Sequence, residues 1–417
     1  MVISSKRKDI RNLLSLMLIQ GSNGILPIFV FPYVLIKIGV DFYSSIAVSQ
    51  AVALIIVTIV LYSFDVNGVS KVIQHLSNKD DLSTVCSNIF YARSTILLAC
   101  ILVILIISPF LKSQFFILTL CWMMVPLSYI FQSTYLFLGL QNTLPLAVFV
   151  LISRAVLVGL IICFIHTAHD FFKVPLIVGG CYLISSVGAY FYAMAKFKIR
   201  FKKPSLRDIL DYLYDGKEIF LGSVSVILYR DCNIIILSLL THNAVAISAY
   251  SIANKLINAL QATARPLNQL FFPKILIKLQ KFTRPNKQAF KLVAKMTYPQ
   301  IIILAFFIVS LAVVFILVSA FSNLLVHIPS KQLIALSCVI MFVAVFIGVA
   351  NFMFGTAGLN QLGMKKYYAI SMLKTGIITI VSGCILVLLF GGIGAAMNFV
   401  VGEALLFLFV VNKYLRS

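Results

Sequence analysis

Ionisable residues stand inside stretches of this sequence that are otherwise almost wholly apolar. The cations are Arg93, Arg154, Arg230, Lys255 and Arg265, and the anions are Asp231 and Glu403. An arginine or aspartate at the centre of a bilayer costs about 2.5–3.5 kcal/mol, so such residues persist where they are paired, hydrated or functional. Five cations against two anions leave positive charge that pairing alone does not absorb. The surplus predicts a hydrated, positively charged cavity that accepts an anionic ligand.

Arg230 and Asp231 are adjacent in the stretch SVSVILYRDCNIIILSLL, residues 223–240. Consecutive residues of a helix point about 100° apart, so the sequence predicts that these two side chains do not pair with each other. On one continuous helix, expected over 218–240, they share a face with other polar residues, namely Ser223, Asn233 and Ser238. We expect Arg230 to contact the ligand. Asp231 and Glu403 are candidates for ion coupling or for balancing charge.

A second polar face runs along the stretch that begins at residue 246. Its members recur at steps of one, three and four residues, and are Ser251, Asn254, Lys255, Asn258, Gln261, Arg265, Asn268 and Gln269. This spacing confines them to an arc of roughly 140° on a helix, with apolar residues opposite. The pattern predicts a membrane helix with one side towards water or ligand. A helix lying on the membrane surface, or amides that only join helices, are the alternatives. For Arg93 and Arg265, extension to the cytoplasmic interface is an equal alternative.

The composition places these faces in a membrane protein. Of 417 residues, 61% are hydrophobic and 11% are charged, and the mean hydropathy is +1.05. Soluble domains are about half apolar and a quarter charged, and a helix that spans a bilayer needs about 20 apolar residues. We predict an all-α polytopic membrane protein with about 12 transmembrane helices. Their expected bounds are 12–38, 41–64, 86–109, 113–138, 143–166, 174–195, 218–240, 246–273, 296–320, 331–354, 367–390 and 393–412.

The positive charge is distributed unevenly between the predicted loops. With the N-terminus inside, and with Lys374 counted because it lies near the cytoplasmic half of its span, 25 of the 34 Lys and Arg fall on the cytoplasmic side. The periplasmic side holds four, which are Lys37, Lys112, Lys173 and Lys331. Cytoplasmic loops carry the excess of Lys and Arg, so both termini are predicted in the cytoplasm. The net charge of +22 then reflects topology and contact with anionic lipids, and we expect no nucleic-acid partner.

The polar break at 196–217 divides the chain into two sets of six predicted helices. We expect an N-terminal bundle over 1–195, a basic cytoplasmic linker over 196–217 and a C-terminal bundle over 218–417, arranged around a central cavity. No loop is long enough for a separate catalytic domain, and no P-loop motif is present. The eight cysteines form no CxxC pair, and the stretch HTAHD (166–170) offers too few ligands, so we expect no metal site.

Four stretches of the sequence carry a resemblance to a known family. They are LIQGSNGILPIFVFPYVLIKIGVDFY (18–43), LFLGLQNTLPLAVFVLISR (136–154), LYRDCNIIILSLL (228–240) and AVAISAYSIANKLINALQATARPLNQLFFPKI (244–275). In order and over the whole length of the chain they resemble the O-antigen flippases, the Wzx proteins of the polysaccharide transporter family. That family belongs to the multidrug/oligosaccharidyl-lipid/polysaccharide exporter superfamily. Leu138 and Gln141 stand where the family often has Gln and Glu, so these two positions do not support the function.

The resemblance implies a two-lobed fold of twelve helices around a central cavity. It also implies a flippase, not an enzyme. Such a protein moves an undecaprenyl-diphosphate-linked oligosaccharide from the cytoplasmic to the periplasmic leaflet of the bacterial inner membrane. Arginine suits the diphosphate because its planar guanidinium is always charged. No cofactor is expected. A proton or sodium gradient is the candidate energy source, and an O-antigen polymerase and a chain-length regulator are candidate partners.

Three other functions are weighed against this one. A lipid II flippase would share the fold and the cationic cavity, and the residues do not exclude it. A drug/cation antiporter of the same superfamily would require an acidic cavity, whereas the predicted one is basic. An O-antigen polymerase usually has a large periplasmic loop, and every predicted periplasmic loop is short.

Overall fold

The computed structural model describes residues 2–76, 78–321 and 330–416, and every regular element within these ranges is a helix. The helices of the first half are α1 (Val2–Ile25), α2 (Phe31–Ile38), α3 (Val40–Leu61), α4 (Phe64–Gln74), α5 (Lys79–Ile107), α6 (Ser113–Trp122), α7 (Met124–Ile130), α8 (Thr134–Gly139), α9 (Leu144–Phe164) and α10 (Lys173–Phe197). Those of the second half are α11 (Leu206–Arg230), α12 (Cys232–Thr241), α13 (Ala244–Leu279), α14 (Lys287–Phe321), α15 (Lys331–Asn351) and α16 (Lys365–Arg416). The predicted all-α polytopic membrane fold is confirmed.

The number of membrane spans depends on three irregular helices. In the described part of the chain, nine helices are long and apolar enough to cross a membrane, or ten if the bent pair α11 and α12 is one span. The 52-residue α16 is interrupted at Gly391, whose φ of 56° and ψ of −130° end one helix and begin the next. α13 has 36 residues, and its polar face lowers its hydropathy. With α11 and α12 counted as one span, the number is ten. Dividing α16 into two spans and adding α13 then gives twelve, the number that the sequence predicts.

The chain divides into two compact units. The first unit comprises residues 1–26 and 45–224, and the second comprises 27–44 and 225–417. The first boundary coincides with a π-helical turn, Leu26–Val30, that contains Pro27. Proline lacks the backbone N–H that continues an α-helix, so the regular hydrogen bonding is interrupted there. The sequence-based division into 1–195, 196–217 and 218–417 around a central cavity stays a prediction.

Large aromatic side chains form the centre of the first unit. Trp122, Tyr135 and Phe137 are each at most 1% exposed. A Cβ atom added at Gly139 would overlap the side chain of Val72, so α8 and α4 approach each other at a residue without a side chain. This close packing gives α5 and its neighbours a rigid support.

The predicted linker contributes the first turns of α11. The hydroxyl of Tyr62, just after α3, donates a hydrogen bond to the carbonyl of Leu213 at 2.9 Å. A Cβ atom at Gly216 would overlap the hydroxyl of Ser63. The segment 206–218 therefore packs within the first unit, and it continues as the same helix to Arg230.

A buried amide network joins α12 to α16 in the second unit. The side-chain amide of Asn398 donates to Asn233 Oδ1 at 2.6 Å and to the Thr379 carbonyl at 2.9 Å. Ser382 Oγ donates to Asn398 Oδ1 at 2.7 Å. Asn233 is fully buried in this network and is not part of the cavity lining to which Arg230 contributes.

Candidate functional site

The helix that carries Arg230 and Asp231 is bent at these two residues. α11 ends at Arg230, α12 begins at Cys232, and the two axes differ by 41°. The side-chain amide of Asn233 donates to the carbonyls of Tyr229 and Arg230, both at 3.4 Å, which helps to satisfy backbone groups beside the bend. The expected continuous helix over 218–240 is therefore wrong at its centre. The bend places Asp231 between two helices, where its carboxylate lines a cavity.

Arg230 binds Glu403, which lies 173 positions away in the sequence. Its Nε donates to Glu403 Oε1 at 2.7 Å, and its Nη2 contacts the same oxygen. Glu403 is fully buried, and the amide of Asn351 donates to its Oε2 at 2.8 Å and to its carbonyl at 3.0 Å. The expectation that Arg230 and Asp231 do not pair agrees with this arrangement. Glu403 is the counter-charge of Arg230, and Asn351 fixes its orientation.

A cavity of about 670 Å³ adjoins the bend within the second unit. Its polar lining consists of Arg230, Asp231, Asn258, Gln261 and Asn268. Its apolar lining includes Val226, Val345, Val349 and Phe352. At Gly348 a Cβ atom would lie 3.1 Å from Gln261 Nε2 and 3.6 Å from Arg230 Nη2, so this glycine leaves room for both groups. Volume and mixed lining are typical of a site for a polar organic ligand.

The polar face of α13 is divided between internal contacts and the cavity. Asn258 donates to Asn254 Oδ1 at 3.3 Å, and Gln261 donates to the Ala344 carbonyl at 3.3 Å. Asn258 and Gln261 line the cavity, whereas Asn254 is not part of its lining. The helix begins at an N-cap where Asn243 Oδ1 accepts from the Ala246 amide at 3.1 Å.

Lys255 has aromatic and hydroxyl neighbours. Its Nζ donates to Ser251 Oγ at 2.8 Å and lies 3.4 Å from the Tyr43 hydroxyl. It also lies 4.3 Å from the centre of the Phe31 ring, a cation–π distance. In the described ranges no carboxylate lies within ion-pair distance of Lys255. Ser251 is 2% exposed, so this cluster is largely enclosed.

Arg154 lies in the first unit, on α9. Its Nε and Nη2 donate to Asn23 Oδ1 at 3.2 and 3.1 Å. The guanidinium also lies 3.7 Å from the centre of the Tyr182 ring, in a stacked position. Among the residues described, no carboxylate forms an ion pair with it, although its side chain is largely buried. Arg154 is therefore held in place by neutral groups and has no counter-charge among the described residues.

Arg93 is engaged inside the first unit. Its side chain is 0% exposed, its Nη1 donates to the carbonyls of Tyr129 and Gln132 at 3.0 and 2.7 Å, and its Nη2 lies 3.0 Å from Asp65 Oδ1. It neither extends to the interface nor lines the described cavity. Within the second unit, the structure brings together Arg230, Asp231, Asn258 and Gln261 around the cavity, and Lys255 is not part of that lining. The side chain of Arg265 lies outside the described residues.

Sequence analysis missed Asp65, Asn351 and Gly348. Asp65 follows directly after a predicted span, so its position suggested a solvated loop residue. Asn351 is a single amide in an apolar stretch, a pattern that usually indicates contact between helices.

The stretch HTAHD forms a capped turn in which the Asp170 carboxylate accepts from the backbone of His166 and Thr167. In the searched, described residues no group of three potential metal ligands occurs.

Comparison with known sequences gives one family and two relatives. A family profile described as "Polysaccharide biosynthesis protein" matches residues 10–277. A protein of Escherichia coli (strain K12) named "Putative O-antigen transporter" is 24% identical over 274 residues, which are 64% of this chain and 64% of that protein. A protein of Shigella dysenteriae with the same name is 24% identical over 293 residues, 66% of this chain and 69% of that protein. The matched part thus spans just under two thirds of the first relative.

Solved structures share the fold. A multidrug resistance MATE family transporter of the MOP superfamily aligns with a TM-score of 0.68 at 12% identity, over 94% of this chain and 93% of that chain. The lipid II flippase MurJ aligns with a TM-score of 0.57 at 12% identity, over 97% and 86%. The eukaryotic MATE transporter AtDTX14 aligns with a TM-score of 0.56 at 15% identity, over 98% and 95%. These identities are low, so the likeness establishes the architecture alone.

Proposed function

The chain belongs to the polysaccharide biosynthesis protein family, and from that membership we propose that it is a flippase for lipid-linked glycans. Its substrate is an undecaprenyl-diphosphate-linked oligosaccharide, the repeat unit of an O-antigen. It carries this unit from the cytoplasmic to the periplasmic leaflet of the bacterial inner membrane by alternating access, with both termini in the cytoplasm. The names of the two relatives, both O-antigen transporters, support this substrate class.

The observation that carries the proposal is the uncompensated charge of Arg154. An amide oxygen and a tyrosine ring hold the guanidinium, and no carboxylate of the described residues neutralises it. A buried arginine without a carboxylate is costly unless it is hydrated or meets an anion. A diphosphate is such an anion, and its oxygens match the donor geometry of guanidinium. Arg154 is therefore the proposed contact for the diphosphate.

The proposal extends to the energy source, the partners and the remaining cations. Transport rather than catalysis fits the transporter names of the relatives. A proton or sodium gradient is the proposed energy source, and an O-antigen polymerase and a chain-length regulator are the proposed partners. Lys255 and Arg265 stay proposed cationic contacts. For Arg93 we propose a structural role, because its two terminal nitrogens bind two backbone carbonyls and Asp65.

A complementation experiment tests the proposal. In a strain that lacks its O-antigen flippase and makes the matching repeat unit, the wild-type chain should restore surface O-antigen. Arg154→Ala should lower it at least about tenfold at unchanged protein abundance, because a charge-assisted hydrogen bond contributes about 1.5–3 kcal/mol. Arg154→Lys, which keeps the charge without the planar fork, should retain an intermediate level.

The matched control is Arg200→Ala. Arg200 is exposed in the loop after α10, its backbone amide donates to Ser83 Oγ at 3.1 Å, and its side chain makes no hydrogen bond in the described ranges. This variant should display wild-type O-antigen. Full complementation by Arg154→Ala at normal abundance would remove Arg154 from the proposed substrate path.

A lipid II flippase is the second candidate, because MurJ shares the fold over nearly the whole chain. Depletion of the resident lipid II flippase distinguishes the two functions. We expect expression of this protein not to restore growth under depletion, while the same plasmid restores O-antigen in the complementation strain. Growth rescue without O-antigen display would favour lipid II.

A further inference from the structure

We infer that the cavity at the bend of α11 and α12 binds the glycan part of the substrate, with Asp231 as the charged acceptor for sugar hydroxyl or amide N–H groups. This inference rests on the proposed function and assigns the glycan part of the proposed substrate to this one cavity. It also separates this cavity from Arg154, the proposed contact for the diphosphate.

The cavity presents acceptor oxygens without internal donors. In the described part of the chain, the Asp231 carboxylate makes neither a hydrogen bond nor an ion pair, although it lines the cavity. Asn268 Oδ1 is buried and has no partner among the described residues. Buried acceptors that lack donors cost free energy until a ligand or water supplies them. Sugars carry many hydroxyl donors, whereas a fully ionised diphosphate carries none.

Each of the two other amides of the lining uses one of its N–H groups within the protein. Asn258 uses its N–H on Asn254, and Gln261 uses its N–H on the Ala344 carbonyl. Their side-chain oxygens accept from no donor in the described ranges, so both amides retain an unused acceptor. With Asp231 and Asn268, four side chains thus offer oxygens to one cavity of about 670 Å³. Such a set favours a ligand rich in O–H and N–H groups over an anion.

Arg230 does not make this cavity an anion site. Its Nε and Nη2 are engaged by Glu403, and Asn351 holds that carboxylate from the other side. An ion pair of this kind cancels most of the charge that a diphosphate would sense. Arg154 has no such counter-charge in the described structure. The two arginines therefore differ in the ligand group that they favour, although they are the same residue type.

The apolar lining also suits sugars. Phe352 and Val349 face the cavity beside the polar side chains. A pyranose ring has C–H groups on its faces and hydroxyls at its edge, so it requires apolar and acceptor surfaces together. Gly348 keeps space free next to Gln261 and Arg230. A side chain at this position would narrow the cavity at its polar side.

A monovalent cation is the competing occupant, since carboxylate and amide oxygens also bind hard cations. The test therefore uses three probes with the purified full-length protein in lipid nanodiscs. The probes are the repeat-unit oligosaccharide released by mild acid from its lipid carrier, inorganic pyrophosphate, and sodium chloride. Saturation-transfer NMR detects the oligosaccharide, and ³¹P NMR line broadening detects pyrophosphate. Competition by sodium is read as loss of the oligosaccharide signal.

We expect the wild-type protein to bind both the oligosaccharide and pyrophosphate. Asp231→Asn should weaken oligosaccharide binding about tenfold or more and leave pyrophosphate binding unchanged, because one charged acceptor is lost. Gly348→Ala should also weaken the oligosaccharide alone. Arg154→Gln should show the reverse pattern. Asp211→Asn, which removes an exposed carboxylate on α11, is the matched control and should bind both probes normally.

Three results would overturn the inference. They are no oligosaccharide signal with the wild-type protein, equal oligosaccharide binding by wild type and Asp231→Asn, and loss of pyrophosphate binding in Asp231→Asn. Sodium binding that depends on Asp231, with oligosaccharide binding unaffected by the substitution, would assign the cavity to a cation instead. In each of these cases Arg154-dependent pyrophosphate binding would still support the proposed function. Loss of that binding in the wild-type protein would contradict the proposed function itself.

Discussion

Arg93, Arg154 and Arg230 all lie in apolar helices, yet their guanidinium groups have different neighbours. Arg93 meets Asp65 and two carbonyls, Arg230 meets Glu403, and the neighbours of Arg154 in the described structure are an amide oxygen and an aromatic ring. The first two are therefore suited to holding helices together or to presenting a side chain in a fixed direction. The third has no counter-charge among the described residues, which is why we propose it as the contact for an anionic ligand. All three arginines lie within spans, so their position does not distinguish them. The neighbours of each guanidinium group do.

Variants of Arg230 and Glu403 test whether this buried pair only balances charge or also positions the guanidinium beside the cavity. Glu403→Ala should lower stability by about 3–5 kcal/mol, because Arg230 would remain partly buried without its counter-charge. We expect a lower melting temperature and lower abundance in the membrane. The double variant Arg230→Glu with Glu403→Arg should restore abundance but not O-antigen display, because the guanidinium would no longer border the cavity.

Glu403→Gln is the companion variant, since its amide oxygen still accepts from Arg230 while the charge is lost. We expect an intermediate abundance. If the exchanged pair transported as well as the wild type, Glu403 and Arg230 would be no more than a structural ion pair.

Sequence alone identified the ionisable residues of this region but not their partners. Arg230 and Glu403 are 173 positions apart, and no local spacing rule connects residues at such separations. The excess of cations over anions was counted without Asp65, which appeared to be a loop residue. The structure pairs it with Arg93, so the surplus of positive charge in the spans is smaller than the sequence indicated.

At the scale of helices, α11 is both a surface element and a membrane element. Its first turns pack against the end of α3 through Tyr62 and Ser63, and its last residue is Arg230. The hydrophobic pattern predicted the membrane part well, because about 20 apolar residues are a strong signal. It could not predict the bend after Arg230. A straight helix with Arg230 and Asp231 at its centre has the same order of polar and apolar residues as a bent one.

The packing of Gly216 on Ser63 allows a direct test of this docking. Gly216→Ala should destabilise the protein and lower its melting temperature, because the added methyl group would overlap the Ser63 hydroxyl. Ser63→Gly removes that hydroxyl and its Cβ, so the double variant should recover much of the loss. A double-mutant cycle on melting temperature measures the coupling.

Gly222→Ala is the control on the same helix, since nothing lies within 4 Å of a Cβ atom added there. It should be neutral or slightly stabilising. Additive effects of Gly216→Ala and Ser63→Gly would show that α11 does not dock on Ser63.

At the scale of the whole molecule, the predicted twelve-helix topology makes a prediction for each loop. From the charge asymmetry we expect the loop between α13 and α14 in the cytoplasm and the turn before α10 in the periplasm. In a background with Cys163→Ser, an impermeant maleimide should label Lys173→Cys in intact spheroplasts. Lys281→Cys should be labelled only after the membrane is opened. The reverse pattern would invert the predicted orientation.

The fully buried Trp122 has a practical consequence. The sequence contains a single tryptophan. Fluorescence excited at the long-wavelength edge of tryptophan absorption therefore comes from the core of the first unit. Phe352→Trp in a Trp122→Phe background would move this reporter to the lining of the second unit's cavity. Two proteins that differ in the position of one indole thus allow the environment of each unit to be followed separately, by emission wavelength and quenching, without an attached dye.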